Sequence, residues 1–260
     1  MSNKKEIFAK YGIEYKAGKI YHSEYGWINL LLVNGNEKIG KGVYHFSTLP
    51  GTMTYTVMVN GKEYIVKGTC ACNCVGCYAM SGNYNYPSVR NALGIRTLIA
   101  RNDAYFMYRA IMAQIEAENI NAIRIHASGD FVSYEYRWTW QKIVSNNPHV
   151  NFWTYTKIAD AEKDFDAFDN ANIVKSVIPG IGFNFGHCDY IINAYNVLVN
   201  ANKSVHVCRC GVDKNQHCVN CKGCSKNEYV LFIEHSTDYV AEKDASFGML
   251  KGIIDNQPEE

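Results

Sequence analysis

The sequence contains little proline and no long apolar stretch. Five prolines occur among its 260 residues, and no segment approaches the roughly 18 consecutive apolar residues that a membrane-spanning helix requires. The first ten residues are charged and lack the apolar core of a signal peptide. We therefore expect a soluble, intracellular protein that has no membrane partner.

An excess of charge of either sign is also absent. The chain carries 26 Lys and Arg residues against 25 Asp and Glu residues, so its formal net charge is +1. The basic footprint that holds a nucleic acid through its phosphates is missing, and nucleic-acid binding is not favoured. No phosphate-binding loop or hydrolytic triad is visible. The sequence therefore leaves open whether a substrate is a small molecule or a macromolecule.

Cysteine, in contrast, is abundant. The chain has 10 cysteines, of which nine fall in two short clusters and only Cys188 stands apart. Disulfide-rich scaffolds are usually much shorter, secreted chains. Clustered thiols in a chain of ordinary globular composition indicate metal binding.

Strand and helix patterns alternate from residue 54 onward, which predicts parallel strands joined by crossover helices. The predicted elements are a hairpin of strands 54–59 and 63–67 around Asn60-Gly61, helices 87–101, 103–118, 133–145, 159–168 and 189–199, and strands 122–127, 150–156, 173–178, 182–185, 204–207 and 229–233. These elements predict an α/β fold, either a partial (β/α) barrel or an open α/β sheet. We expect the partial barrel, with an N-terminal β-hairpin and a C-terminal Cys-rich metal loop.

We expect a single domain over residues 1–260. Its parts are an N-terminal extension (1–53), a partial α/β barrel core (54–207), a Cys-rich metal-binding loop (208–226) and a C-terminal strand and tail (227–260). Within the extension, the apolar segment 27–33 fits either a strand or a buried helix.

The first cysteine cluster lies in the segment TCACNCVGCYAM. Cys70, Cys74 and Cys77 have the spacing C-x-x-x-C-x-x-C, and Cys72 falls between them. Three thiolates leave one iron of a [4Fe-4S] cube without a protein ligand, so that iron is open to a reactant. Cys72 is either spare or a fourth ligand. Zinc and free redox thiols are the alternatives, although structural zinc usually takes two well-separated C-x-x-C pairs.

The second cluster follows the predicted strand 204–207. It contains Cys208, Cys210, Cys218, Cys221 and Cys224, enough thiols to close a metal site completely, with Cys208 or Cys210 as the fourth ligand. A second [4Fe-4S] cluster and a structural zinc both satisfy the pattern. Disulfides are a third possibility.

A strand, the C-x-x-x-C-x-x-C loop and a helix within an α/β barrel resemble the radical S-adenosylmethionine superfamily. More narrowly, the segments FSTLPG, CYA, IRIHASGDF and FWTYTK resemble a phage protein family known as gene product eighty-eight. This resemblance spans residues 43–226. It implies a location in the host cytoplasm if the chain is encoded by a phage.

The wider resemblance implies S-adenosylmethionine as a cofactor. Ser128, Gly129 and Asp130 would then receive its amino group through backbone carbonyls and one carboxylate. In the alternative interpretation this turn merely caps the next helix, through Asp130 or Ser133. The chain differs from that superfamily in having Gly76 before the third cysteine, where an aromatic residue is usual.

Two further strand ends supply candidate cofactor-binding residues. Tyr155 and Lys157 share a face of their strand by alternation, and Lys157 would pair with a carboxylate or a phosphate unless it is merely solvated. Asn184 suits a ribose or carboxylate, or holds a backbone turn. His126 is interpreted as a buried, hydrogen-bonded histidine, with substrate contact as the alternative.

Three functions fit these features. The first is a radical S-adenosylmethionine-type enzyme that draws electrons from a reductant and acts on an unknown substrate. The second is a non-catalytic metalloprotein in which zinc or iron–sulfur centres stabilise an interaction module. The third is a redox protein that passes electrons through two clusters without S-adenosylmethionine.

Overall fold

The structure is a computed structural model of the whole chain. It describes residues 3–35, 39–74, 77–178, 182–183, 185–209, 221, 223–233 and 245–257. Everything stated below about the fold concerns these residues. Along this part of the chain, no helix is both long enough and apolar enough to cross a bilayer.

The described helices are α1 (Lys4–Lys10), α2 (Pro87–Asn102), α3 (Ala104–Glu118), α4 (Tyr134–Ser145), α5 (Cys188–Asn200), α6 (Gly223–Lys226) and α7 (Ala245–Asp255). Short 3-10 helices occur at Tyr78–Met80, Gly82–Asn85 and Glu162–Phe165.

The described strands are β1 (Tyr15–Lys16), β2 (Lys19–His22), β3 (Gly26–Asn29), β4 (Val33–Asn34), β5 (Tyr44–His45), β6 (Thr54–Val59), β7 (Lys62–Lys67), β8 (Ala122–Arg124), β9 (Asn151–Thr156), β10 (Ala171–Lys175), β11 (Val177–Ile178), β12 (Gly182–Phe183), β13 (Phe185–Gly186), β14 (Val205–Val207) and β15 (Tyr229–Ile233).

The largest sheet has the strand order β10-β9-β8-β5-β4. Its strands β5, β8, β9 and β10 run parallel, and β4 is antiparallel to β5. Because β5 precedes residue 54, the sheet begins inside the segment that was expected to be an N-terminal extension. That segment also contains α1 and a separate sheet of β1, β2 and β3. Of the segment 27–33, for which the sequence allowed a strand or a helix, the first three residues belong to the strand β3.

The predicted hairpin is confirmed as β6 paired antiparallel with β7. Its turn residues Asn60 and Gly61 have φ of 49° and 83°, the left-handed conformations that an Asn-Gly turn supplies at low cost. The hairpin lies between β5 and the first cysteine cluster, and its second arm leads directly into that cluster.

Helices α2, α3 and α4 contribute to one apolar core together with strands of the large sheet, and their predicted positions are confirmed. The Asp103 carboxylate accepts from the N–H of Phe106 at 2.8 Å, and the Ser133 hydroxyl accepts from the N–H of Tyr136 at 3.2 Å. These N-caps satisfy backbone donors that the first turn leaves without partners. Asn119, at φ 50°, ends α3 in the left-handed conformation.

Four predicted elements differ from the structure, among them the strand predicted at 182–185, whose described residues belong to two separate strands, β12 and β13. The segment 159–168 is not an α-helix, because only Glu162–Phe165 forms a short 3-10 helix after Asp160 takes a positive φ of 58°. The strand predicted at 122–127 ends at Arg124, and the strand predicted at 173–178 is divided into β10 and β11.

A second parallel sheet has the order β13-β15-β14, and α5 and α7 pack around a core that includes Ile191, Leu231 and Leu250. Asn172 of β10 joins the large sheet to α6 and the loop that follows it, because its side-chain amide donates to the backbone carbonyls of Cys224 and Asn227. The described strands form open sheets, so the partial barrel remains a prediction.

Candidate functional site

Three loops meet at the edge of the large sheet where its parallel strands end. Thr48 follows β5, and its N–H donates to the carbonyl of Ser128, which follows β8, at 3.1 Å. The Ser128 hydroxyl donates in return to the Thr48 carbonyl at 2.9 Å. The cysteine loop reaches the same edge because the N–H of Thr69 donates to the Leu49 carbonyl at 2.9 Å.

Thr69, the residue before Cys70, joins two of these loops through its hydroxyl. That oxygen accepts from the N–H of Asp130 at 2.9 Å and donates to the Leu49 carbonyl at 3.0 Å. It also lies 2.9 Å from the Thr48 hydroxyl oxygen. Since Thr69 has one hydroxyl proton, Thr48 is the donor when Thr69 donates to Leu49.

Gly129 lies against these two threonines with a φ of 81°. A Cβ at this position would come within 1.9 Å of Thr48 Oγ1 and 2.6 Å of Thr69 Oγ1. The turn therefore requires glycine for two reasons: the left-handed backbone and the lack of space for a side chain.

Asp130 holds the turn to the end of β9. Its Oδ1 accepts from the Thr156 hydroxyl at 2.7 Å and from the N–H of Phe131 at 2.8 Å, and its Oδ2 accepts from the N–H of Lys157 at 2.9 Å. Burial raises the pKa of this carboxyl, and these donors oppose the rise. The carboxylate thus already has three donors within the protein.

The thiols of the first cluster lie close enough to this edge to interact electrostatically with it. The N–H of Gly51 donates to Cys70 Sγ at 3.2 Å. Burial raises the pKa of Cys70 to about 12, and the charge of Asp130 adds to the rise. Burial also raises the pKa values of Cys72 and Cys77, and the Lys157 ammonium opposes both shifts. Lys157 therefore lies where its charge acts on the cysteine loop.

A small hollow lies beside the cysteine loop. Its lining includes Pro50, Met53, Tyr55, Met80 and Arg90. The Tyr55 hydroxyl donates to the Pro50 carbonyl at 2.9 Å, and its pKa is raised, first by burial and further by the nearby Cys70 and Cys77. The hollow thus offers a mixed apolar and cationic contact surface next to the thiols.

Tyr155 lies away from Lys157, which changes its predicted place in the site. It is buried, and the Arg124 guanidinium lies 5.2 Å from its ring centre. Burial raises its pKa well above the usual value, and the nearby thiols of Cys224 and Cys208 raise it further. Tyr155 therefore faces the second cysteine cluster.

The second cluster lies between β14 and α6. Cys208 and Cys224 are buried and Cys221 is half-buried. Cys221 Sγ lies 3.4 Å from Nε2 of His206, a residue that the sequence analysis did not select. His206 lies in β14, two positions before Cys208, and its contact with Cys221 joins residues fifteen positions apart, which the sequence alone does not reveal.

Several predicted site residues lie outside the described part of the chain. These are Asn184, Gly76, Cys210 and Cys218. None of the described cysteines forms a disulfide. In the same part of the chain, no three or more His, Cys, Asp or Glu side chains are grouped so that they could hold one metal ion as they stand.

His126 is the buried, hydrogen-bonded residue that was expected. Its Nε2 lies 2.8 Å from the Tyr136 hydroxyl oxygen and its Nδ1 lies 3.3 Å from Thr154 Oγ1. Burial lowers its pKa to about 3, with a contribution from the charge of Arg124. The imidazole is therefore neutral and belongs to the core beneath the site.

A comparison with protein families gives one match, to a family model described as Gene product 88, over residues 30–178. This is more than half of the chain. The chain belongs to this family. No curated protein and no solved structure matches it.

The Gene product 88 match contains the whole first site, from Thr48 through the cysteine loop to Lys157. It ends before the second cysteine cluster. The family resemblance that the sequence motifs predicted is thus confirmed. The match names no iron–sulfur or S-adenosylmethionine protein, so that wider resemblance stays a hypothesis.

Proposed function

We propose that this member of the Gene product 88 family is an iron–sulfur protein. Cys70, Cys74 and Cys77 would hold a [4Fe-4S] cluster with one open iron, and the cofactor would be S-adenosylmethionine, as in radical enzymes. The observation that carries the proposal is the meeting of three loops at one edge of a parallel sheet. Folds of this type place their reaction sites at this edge.

The donor set suits a soft metal centre. Several thiols share the loop, and thiolates select iron–sulfur centres, zinc or copper(I). Burial raises the pKa values of Cys70 and Cys77, so the protein alone favours neutral thiols there. A bound metal supplies the positive charge that stabilises the thiolates. The irons of a cube are spread over a larger body than a single ion, and each takes one thiolate. A cube therefore suits this loop better than a single ion does.

When bound, such a cluster supplies an electron and a coordination site for S-adenosylmethionine, which together permit radical chemistry on a substrate. The chain's own residues would hold the loops together and orient the cofactor. Gly129 keeps the loops in close contact, and Asp130 fixes the end of β9 beside the cysteine loop. The Lys157 ammonium is the group that we assign to a carboxylate of the cofactor.

The test is anaerobic purification followed by iron and sulfide analysis and electron paramagnetic resonance of the reduced protein. Substitution of Cys70, Cys74 and Cys77 by alanine should remove about four iron atoms per chain. Cys188→Ala is the matched control, because Cys188 is a buried cysteine outside both clusters, and it should keep the iron. If protein with a complete cluster forms no 5′-deoxyadenosine from S-adenosylmethionine under a strong reductant, the iron–sulfur assignment stands and the assignment as a radical enzyme is overturned.

A second candidate function is a non-catalytic metalloprotein that serves as an interaction or electron-transfer module. Asp130 favours it, because its carboxylate already accepts three hydrogen bonds from the protein. In this case the metal stabilises the loop and no cofactor is consumed. The second cysteine cluster would hold a further metal, as an auxiliary cluster or zinc, under either function.

A further inference from the structure

We propose that the second cysteine cluster is a zinc site in which His206 is the fourth ligand, together with Cys208, Cys221 and Cys224. This inference rests on the second-site part of the proposed function and changes its ligand set. It needs only residues that the structure describes, and it gives a role to a histidine that the cysteine spacing alone does not reveal.

The distance between His206 and Cys221 fits two ligands of one tetrahedral ion. Their Nε2 and Sγ atoms are 3.4 Å apart. A zinc ion with Zn–N and Zn–S bonds of about 2.0 and 2.3 Å at the tetrahedral angle separates such a pair by about 3.5 Å. The same pair makes an S–H···N contact in the absence of metal.

The backbone around His206 brings the other thiols toward it. His206 lies in β14 and Cys208 directly follows the strand, with its N–H donating to the Leu231 carbonyl at 2.8 Å, and both residues are buried. A Cβ at Gly223 would lie 2.4 Å from three atoms of the His206 ring. Glycine at this position therefore lets the backbone of residue 223 lie directly against the imidazole.

The remaining two thiols both interact with Tyr155 of the large sheet. The pKa of the buried Tyr155 hydroxyl is raised by Cys224 and by Cys208, so both sulfurs lie near this one oxygen. Within the described residues the donors do not yet enclose an ion. Binding therefore requires Cys208 and Cys224 to turn about their Cα–Cβ bonds toward the Cys221–His206 pair.

Three thiolates and one imidazole are a ligand set typical of structural zinc. The surroundings suit a closed site, because Cys224 packs in an apolar cluster with Trp153, Val174 and Val230. The carbonyl of Cys224 also accepts from the Asn172 amide of β10 at 2.8 Å. Zinc here would fix the second sheet to the first, with no part in turnover.

The experiment uses the full chain with Cys70, Cys74 and Cys77 replaced by alanine, so that the first site cannot contribute metal. We expect one zinc per chain. After exchange with Co²⁺, we expect the intense visible bands of a tetrahedral ion and a thiolate charge-transfer band for three sulfurs. His206→Ala should weaken Co²⁺ binding by at least about 100-fold.

Two matched variants make this result specific. His206→Cys should restore tight binding and add one thiolate to the charge-transfer intensity, which a merely structural histidine would not do. His149→Ala, at an exposed position, should change neither quantity. Unchanged Co²⁺ affinity in His206→Ala would overturn the proposal, as would iron and sulfide in place of zinc. Wild-type protein that contains zinc but no iron would instead overturn only the assignment of an iron–sulfur cluster to the first site.

Discussion

The two cysteine regions of this protein are built in opposite ways. The loop of residues 70–77 lies on a polar edge, where threonine hydroxyls, a glycine and a carboxylate join three strand ends, and its thiols are half-buried. The cluster near α6 has two buried thiols, Cys208 and Cys224, and Cys224 packs in an apolar cluster. A half-open site admits a reactant, whereas a buried one suits a structural ion.

The largest effect should come from Gly129→Ala. The new methyl group would overlap Thr48 Oγ1 and would sit on a backbone with φ of 81°, so we expect a loss of about 4 kcal/mol in the free energy of unfolding. Urea denaturation measures it. Gly61→Ala is the control, because its φ of 83° is similar but no atom lies within 4 Å. Equal losses in the two variants would contradict the packing argument.

Asp130→Asn should have the next largest effect. An amide has one oxygen where the carboxylate has two. The NH₂ group of the asparagine would therefore face a group that now donates a hydrogen bond to Asp130. We expect a loss of about 3 kcal/mol, measured by urea denaturation. Asp166→Asn, at an exposed site, should be nearly neutral. A neutral Asp130→Asn would show that the polar edge does not depend on this carboxylate.

Acidification tests the core beneath the polar edge. His126 has an ordinary pKa of 6.5 that burial lowers to about 3 in the folded protein. A lowered pKa means that the unfolded chain takes up the proton first, so stability is full above pH 6.5 and falls as the pH drops toward 3. His126 alone should contribute a slope that approaches 1.4 kcal/mol per pH unit, or about 2 kcal/mol between pH 7 and pH 5. His45, whose pKa burial lowers to about 4, adds to the slope in the same window. If His126→Gln shows the same slope, this histidine is not its source.

The smallest effect should come from Asn172→Ala, which removes the hydrogen bonds between β10 of the large sheet and the second cysteine region at α6. The Asn172 amide donates to the carbonyls of Cys224 and Asn227, and its loss should cost about 1 kcal/mol. Asn151→Ala, half-buried on the neighbouring strand, serves as a comparison. Hydrogen exchange of β15 amides should rise only in Asn172→Ala. Equal exchange in both variants would mean that the regions are joined elsewhere.

Local signals predicted much of the fold. The Asn60-Gly61 turn, the Ser133 cap and the apolar periodicity of α2 and α3 depend on neighbours in sequence, and the structure confirms each. The helix predicted at 159–168 was wrong because its structure depends on a residue that is distant in sequence. Its apolar residues look helical, but Phe165 is buried because its ring stacks on that of Phe131, with centroids 5.9 Å apart, which is a tertiary contact.

The candidate site shows the same limit. The sequence identified the turn at residues 128–130 and Lys157 of the polar edge, but it did not select Thr48 or Thr69. Alternation also placed Tyr155 beside Lys157. The strand ends at Thr156, and the N–H of Lys157 then bonds to Asp130. His206 was missed because its significance depends on Cys221, fifteen residues away. Contacts of this kind require the folded chain.

The hairpin between β5 and the cysteine loop leaves the sheet edge and returns to it. The N–H of Gly68 donates to the Met53 carbonyl at 2.7 Å, and the N–H of Cys70 donates to the Gly51 carbonyl at 3.1 Å. The two ends of this excursion are thus fastened together at its base. These bonds at the base, rather than the turn at Asn60-Gly61, therefore set the position of Cys70 relative to the end of the sheet.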